Sequence, residues 1–415
     1  MSLVKIVILG LGLLGTPLFL VIGALALLAF AGADIDIAVV VIEMARLADT
    51  PMLLALPLFI FAGILLSESR APERILRFSQ LFFGWLPGGL AVVTLLVCAV
   101  FTAFTGAWGV TIFALGGLLL PALLADGYDR KFTMGLITSS GSLGLLFPPS
   151  LPLIIYGVIA ETRIDQLFLA GILPGILMLT LLAAYAFVKS PPRRPIARGP
   201  REMLAGLRLV AWELPLPVIL LGGIYGGVFV PAEAAAVTAA YLVLVEVAIH
   251  RDIPWSQLPA VMAQSMVLFG GILVILAASM ASTNFLIDQG VPDRLFAMMS
   301  SYIDSKYTFL LLLNLFLLVI GAMLDIFSAL VLIVPLILPI ALAYGVDPVH
   351  LGIIFLTNLQ IGYCTPPVGL NLFLASYRFE RPVTELYRAT LPFLGLLLLT
   401  LMIVTYFPWF CSALL

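Results

Sequence analysis

Residues 138–150 read Thr-Ser-Ser-Gly-Ser-Leu-Gly-Leu-Leu-Phe-Pro-Pro-Ser, and residues 357–371 read Thr-Asn-Leu-Gln-Ile-Gly-Tyr-Cys-Thr-Pro-Pro-Val-Gly-Leu-Asn. Each run puts hydroxyl or amide side chains ahead of a glycine and a Pro-Pro pair, inside otherwise apolar sequence. A proline removes one backbone donor and clashes with the carbonyl four residues back, so two in succession break a helix. Carbonyls freed in this way are costly in hydrocarbon unless they line a cavity or bind something. Hydroxyl and amide oxygens beside freed carbonyls form the all-oxygen donor set that suits a hard cation. A single such run reads better as a kinked helix whose Ser and Thr bond back to their own carbonyls. Two of them favour ion binding.

The two runs belong to an internal repeat. At an offset of 218, Pro121 falls on Pro339, Gly127 on Gly345, Asp129 on Asp347, Gly144 on Gly362, Pro148-Pro149 on Pro366-Pro367 and Pro174 on Pro392. Upstream the offset is 220, matching Pro72-Glu73-Arg74 with Pro292-Asp293-Arg294. Any two apolar sequences share leucines, but prolines and glycines are punctuation, and their coincidence marks a duplicated unit. Residues 1–188 form the first repeat and residues 209–415 the second. Between them, residues 189–208 carry six Lys or Arg and four prolines and read as a cytosolic linker.

Composition fixes the class. The chain has 415 residues, 63% hydrophobic and 10% charged, with a mean hydropathy of +1.21. A soluble chain is about 45–50% apolar and about a quarter charged, so this is an all-α polytopic membrane protein. A net charge of −2 lacks the clustered basic surface of a nucleic-acid binder. Cys98, Cys364 and Cys411 form no CxxC pair, and His250 and His350 lie a hundred residues apart, so neither disulfides nor a His-based metal site is expected. The apolar run after Lys5 reads as a first span and not as a cleaved signal. No GxxxxGK[ST] motif is present, so the energy for any transport comes from an ion gradient.

Lys and Arg in short loops stay cytosolic. With the linker inside, fifteen of the twenty fall on the cytosolic side, leaving Lys5, Arg46, Arg163, Arg294 and Lys306 outside. The turns at Arg70-Arg74-Arg77 and at Asp129-Arg130-Lys131 are then inside, while their repeat partners are outside. The halves are therefore expected to be inverted, with both termini periplasmic. Inverted repeats holding a site at their interface are a recurring transporter architecture. Residues 88–125 would be about 57 Å long as one helix, against a hydrocarbon core of about 30 Å. A re-entrant hairpin turning at Phe104-Thr105-Gly106-Ala107-Trp108-Gly109 fits, and residues 307–343 form its partner, turning between Gly321 and Ser328. Broken helices are expected at 132–160 and 351–376. Three roles fit Asp325 at the second turn: sodium ligand, proton carrier or local partner. Ser67–Leu86, ending near Trp85, and Gln289–Ser300 read as interfacial helices. Trp255 and Trp409 read as belt anchors. Glu233 reads as structural, and no role is assigned to Glu213 or Glu246.

Several stretches resemble one family, the large membrane subunit of tripartite ATP-independent periplasmic (TRAP) transporters. They are Ala55-Leu56-Pro57-Leu58-Phe59-Ile60-Phe61-Ala62-Gly63, Gly84-Trp85-Leu86-Pro87-Gly88-Gly89, Phe147-Pro148-Pro149-Ser150, Pro231-Ala232-Glu233-Ala234-Ala235-Ala236 and Thr365-Pro366-Pro367-Val368-Gly369-Leu370-Asn371. Trp108 departs from the small, polar first tip usual in that family. The resemblance implies an elevator-type fold of the ion-transporter superfamily, with a scaffold and a transport domain holding two hairpins. It implies sodium-coupled uptake of an organic acid, a C4-dicarboxylate, sialic acid or other sugar or keto acid, delivered by a periplasmic binding protein. It also implies a small four-helix membrane subunit as partner, of which no fused copy is read here. One sodium site would draw on Thr105, Gly106, Ser139, Ser140 and Gly141. The other would draw on Gly321, Asp325, Ser328, Thr357, Asn358 and Thr365. Substrate would sit near Pro148, Pro149, Ser150, Pro366, Pro367, Gly369 and Asn371. Two other readings stand: a proton-coupled or binding-protein-independent anion transporter of the same superfamily, and, more remotely, an intramembrane hydrolase, for which no Ser–His pair or second Asp is apparent.

Overall fold

The computed structural model describes residues 4, 7, 8, 10, 11, 16–33, 35–46, 51–83, 88–106, 108–191, 206–366 and 368–415. Lys5, Trp85 with its neighbours at 84–87, residues 192–205 of the linker and Pro367 lie outside the described residues. Among the described residues the regular elements are helical and none is a strand. Helices α1 (Leu18–Gly32), α2 (Ala38–Arg46) and α3 (Ala55–Glu68) are followed, across a 69° bend, by the amphipathic α4 (Ala71–Phe83). A hairpin follows, α5 (Gly89–Thr105) and α6 (Trp108–Ala125). Then come α7 (Arg130–Ser140), a 3-10 turn (Leu143–Leu146) and α8 (Leu151–Ile159), bent by 45°, and α9 (Ile164–Val188). The same order returns later in the chain. Helices α10 (Pro215–Tyr225), α11 (Pro231–Leu242, continued as a π-helical stretch to Ile249) and α12 (Leu258–Asp288) precede α13 (Val291–Ser300). The hairpin α14 (Lys306–Met323) and α15 (Ile326–Ala343) is followed by the interrupted pair α16 (Pro348–Gly362) and α17 (Leu370–Phe379). Helices α18 (Val383–Tyr406) and α19 (Trp409–Ser412) come last. Six helices are each long and apolar enough to cross a membrane, or eight spans if each bent pair counts as one, among the described residues.

The repeated punctuation has a repeated physical cause. Gly127 and Gly345 adopt φ of 90° and 71°, where a side chain would be strained. Both end a hairpin arm with the same two hydrogen bonds: Tyr128 N to Leu123 O (3.1 Å) and Gly127 N to Leu124 O (3.0 Å), then Val346 N to Ala341 O (2.9 Å) and Gly345 N to Leu342 O (2.9 Å). This closes the orphan carbonyls of a helix C-terminus. Two residues on, Asp129 accepts from Phe132 N (3.1 Å), and Asp347 accepts from Val349 N (2.9 Å) and His350 N (3.1 Å), capping α7 and α16. The repeated prolines lie inside helices, Pro121 in α6 and Pro339 in α15, Pro174 in α9 and Pro392 in α18.

Two groups of helices result. One contains α1, α2, α3, α11 and α12, packed on one another. The other holds the hairpins, the broken helices, α9 and α18, and contains fully buried aromatic side chains including Tyr156, Tyr363, Phe168, Phe355 and Phe393. Within it the first arm of each hairpin packs on its own broken helix, α5 on the 3-10 turn and α14 on α16. The second arms also cross between the halves: α6 packs on α17 as well as on its own α7, and α15 packs on α8 as well as on its own α16. Tyr156 of α8 crosses in the same way, donating to Pro348 O at 2.6 Å.

Glycine makes the close approaches. A Cβ on Gly144 would lie 2.3 Å from Ala99 O and 2.4 Å from Ala103 N, and one on Gly362 would lie 2.5–2.6 Å from Gly321 backbone atoms. Gly144→Ala and Gly362→Ala are therefore expected to lower stability by about 1–3 kcal/mol each. Gly270→Ala, where a Cβ meets nothing within 4 Å, is expected to stay within about 1 kcal/mol of the parent. Thermal melting in detergent compares the three, and equal melting of all three would contradict the packing described.

Candidate functional site

The first hairpin tip rests on the first helix break. Helix α5 ends at Thr105, and Gly106, at φ 61°, gives its N–H to Thr102 O at 2.8 Å. A Cβ on Gly106 would lie 2.3 Å from Leu151 Cδ1, at the start of α8. Thr102 Oγ1 donates to Gly141 O at 2.8 Å, a carbonyl in the break, and lies 2.6 Å from Thr111 Oγ1 on the other arm. Each hydroxyl has one hydrogen, so Thr111 donates to Thr102 and Thr102 donates to Gly141. Ser140 Oγ donates to Ile137 O in its own helix at 3.1 Å, next to Cys98. Ser139, fully buried, faces Cys364 of the second break.

The second tip rests on the second break. Asp325 caps α15: its Oδ2 accepts from Phe327 N (3.0 Å) and Ser328 N (3.1 Å), and its Oδ1 accepts from Ser328 Oγ. Of the three roles open to Asp325, the local pairing is thus visible in the geometry. Buried Tyr363 stands beside this carboxylate and the backbone of Ile326. Gly321 abuts Leu359 and Gly362, and Gly369 N donates to Ala322 O at 3.1 Å, tying the break to the tip. Thr365 Oγ1 donates to Gly362 O at 2.9 Å. Thr357 Oγ1 turns back to Ile353 O at 2.7 Å. Asn358 gives Nδ2 to Asn314 Oδ1 (2.7 Å) and Ile354 O (2.9 Å), and Asn314 gives Nδ2 to Thr405 Oγ1 (3.0 Å). Asn314 stands seven residues before Gly321, about 10 Å along the helix, so the Asn358 amide is held on the hairpin arm and away from the tip. Its Oδ1 is buried with no hydrogen-bond partner among the described residues.

The two breaks also meet each other. Asn371 Nδ2 reaches Thr138 O and Ser142 Oγ, both at 3.2 Å, while its Oδ1 is buried with no partner among the described residues. Cys364 Sγ approaches Thr138 O at 3.8 Å. Ser150 caps α8, accepting from Leu153 N at 3.5 Å and donating to Leu145 O. Gly369, at φ 60°, begins α17. Two helix N-termini, each a positive dipole end, therefore start beside this crossing, with Pro148 and Pro149 ahead of one and Pro366 ahead of the other. The side chains gathered at tips and breaks offer hydroxyl, amide and carbonyl oxygens, and Asp325 adds one carboxylate. Sequence reasoning passed over Thr102, Thr111 and Asn314, and read Ser142 only as part of the hydroxyl run at 138–142. Thr102 lies one turn before Thr105 on the same face, and Asn314 interrupts a run of leucines, so both carried a readable signal.

The family described as the tripartite ATP-independent periplasmic transporter DctM component matches residues 4–410. The C4-dicarboxylate TRAP transporter large permease of Pseudomonas aeruginosa is 35% identical over 390 residues, covering 93% of this chain and 91% of that one. The corresponding Vibrio cholerae permease is 34% identical over 439 residues, covering 98% and 96%. The sialic acid TRAP transporter large permease of Vibrio cholerae is 31% identical over 365 residues, covering 87% and 86%. Among solved structures, the Alcanivorax borkumensis YdaH transporter superposes with a TM-score of 0.60 at 14% identity, covering 90% of this chain and 88% of that one.

Asp325→Ala removes a helix cap and is expected to cost about 1 kcal/mol, within a range of about 0.5–2. Asp325→Asn keeps the acceptor oxygen and is expected to lose less than half of that. Melting in sodium-free buffer separates the two, and an Asn variant as unstable as the Ala variant would show that charge, not capping, holds the tip.

Proposed function

Because this chain belongs to the DctM-component family of tripartite ATP-independent periplasmic transporters, we propose that it is the large, multi-pass membrane subunit that carries an organic acid across the inner membrane, driven by sodium. It is a transporter component and not an enzyme. Its relatives are named for C4-dicarboxylates, sialic acid and ectoine, and this chain takes a small carboxylate of that kind. A periplasmic binding protein delivers the substrate, and a small membrane subunit completes the complex. One relative, the isethionate permease protein DctMQ of Oleidesulfovibrio alaskensis, is longer, and this chain covers 57% of it.

The observation that carries this reading is the meeting of two hairpin tips and two broken helices around buried oxygens. In the first site the carbonyl of Gly141 and the oxygens of Thr105, Gly106, Ser139 and Ser140 hold one sodium, with Thr102 orienting the tip. In the second, Gly321, Asp325, Ser328 and Thr365 hold another, while Thr357 and Asn358, bonded to Ile353 O and to Asn314, brace the arm beside it. Sodium prefers such hard oxygen donors. Substrate carboxylate sits between the breaks, near Ser150, Gly369 and Asn371, where two helix N-termini supply positive ends without a fixed cation. Sodium binding ties each tip to its break and so pre-forms this pocket. By linkage, substrate affinity then rises with sodium, and sodium affinity with substrate. The hairpin group moves against the group built on α3, α11 and α12, an elevator. The linker 189–208 is cytosolic and both termini are periplasmic.

Sodium is expected to raise the melting temperature of the purified protein saturably, relative to potassium at equal ionic strength, by the equivalent of about 2.7 kcal/mol at a hundred times the dissociation constant. Asp325→Asn and Ser140→Ala are each expected to shift that titration to higher sodium. Identical melting in the two salts, together with uptake that follows a proton gradient, would replace sodium by the proton.

A further inference from the structure

A charged cluster away from the tips ties α4 to the second half of the chain. Arg74, in the first turn of α4, spreads its guanidinium over three carboxylates. Nε donates to Glu213 Oε1, Nη1 to Asp252 Oδ2, and Nη2 to both oxygens of Glu246 at 2.9 and 2.7 Å. The four side chains are only 13% (Arg74), 7% (Glu213), 0% (Glu246) and 10% (Asp252) exposed, so this is an interior contact and not a solvated pair. Asp252 Oδ2 also accepts the backbone N–H of Arg70 at 2.9 Å, closing the start of α4 from 182 residues away. His250 Nε2 lies 3.8 Å from Glu213 Oε1. Burial alone would raise the Asp252 carboxyl, but the hydrogen bonds from Arg74 and the Arg70 N–H outweigh it and hold it below its ordinary value. The guanidinium makes four hydrogen bonds here in one planar fork, one more than the three donors of a lysine ammonium could supply.

The repeat-equivalent joint is built in the opposite way. Pro292-Asp293-Arg294 stands where Pro72-Glu73-Arg74 stands in the first half. Arg294 is exposed and makes no ion pair among the described residues. Helix α13 starts from Gly290, at φ 63°, where an added Cβ would meet nothing within 4 Å. One interfacial helix therefore begins at a buried four-residue clamp, and the other at a bare glycine in open space. Helix α4 runs from the clamp toward the first hairpin, whose start is tied down again by Gly88 N donating to Ser190 Oγ at 2.7 Å.

We infer that the Arg74–Glu213–Glu246–Asp252 cluster is a stationary pivot of the transport cycle, and that the joint at Gly290 takes up the bending, so the two hairpins are driven unequally. This rests on the moving-hairpin reading above. The test bridges the pivot covalently. Arg70→Cys with Arg251→Cys, two exposed positions flanking the cluster that leave its four side chains intact, is joined by a short thiol-specific cross-linker in the reconstituted three-component transporter, and the native cysteines, all buried, stay in place. Uptake is expected to remain within about twofold of the reduced form. Arrest on bridging, with recovery on reduction, overturns the pivot. Hydrogen exchange on the unmodified protein decides independently of uptake. Residues 70–76 are expected to exchange at least tenfold more slowly than residues 290–296, unchanged by sodium and substrate. Equal exchange, or a change at 70–76 on adding them, overturns it. If wild-type uptake ignores a sodium gradient, the coupling assignment fails while the exchange comparison still judges the pivot.

Discussion

Backbone that leaves a helix inside an apolar protein must find partners there, because no water can supply them. Residues 141–150, and 363–366 with 368 and 369, stand between helical segments in this position, and the arrangement around them follows from satisfying them. Gly141 O is taken by Thr102, Thr138 O by Asn371, and Gly369 N by Ala322 O. Each hairpin tip is a lid of matching donors and acceptors over the break of its own half. Neither tip nor break would be tolerable alone.

That constraint also explains where side chains are absent. Gly144 and Gly362 let a hairpin arm pass at backbone contact, and Gly106 lets the first tip lie on Leu151. The same economy leaves Asn358 Oδ1 and Asn371 Oδ1 buried with no partner among the described residues. A buried amide oxygen without a donor is costly unless something else approaches it, and both stand on the second broken segment, one in α16 and one in α17.

Much of this was legible in the sequence, and the reason is local. Pro, Gly and capping Asp act through their own backbone, so the hairpin turn near Gly106, the break at Pro148-Pro149 and the one near Pro366 could be read from a single strand of letters. The membrane class followed from composition. What was not legible depends on partners far along the chain. Nothing near Glu213, Glu246 or Asp252 announces that all three meet Arg74, 139–178 residues away. Asp325 fitted a sodium ligand, a proton carrier or a local partner, and its cap on α15 depends on where Phe327 and Ser328 point their N–H groups, which no single letter records. Asn358 pointed sequence reasoning to the tip, whereas Asn314, one polar residue among leucines, draws its amide to the arm.

The crossing of second arms between the halves sets an order on biosynthesis. Helix α6 is complete at Ala125, but its partner in the other half, α17, does not begin until Leu370. At about 5–20 residues per second, that partner leaves the ribosome roughly 12–50 s later. For that interval the first hairpin has its own break and α7 to rest on, but the face of its outer arm that α17 later covers is open. Lipid, or a membrane chaperone, must occupy that face until the second half arrives to displace it, so the nascent first half is a guest of the bilayer before it is part of a protein.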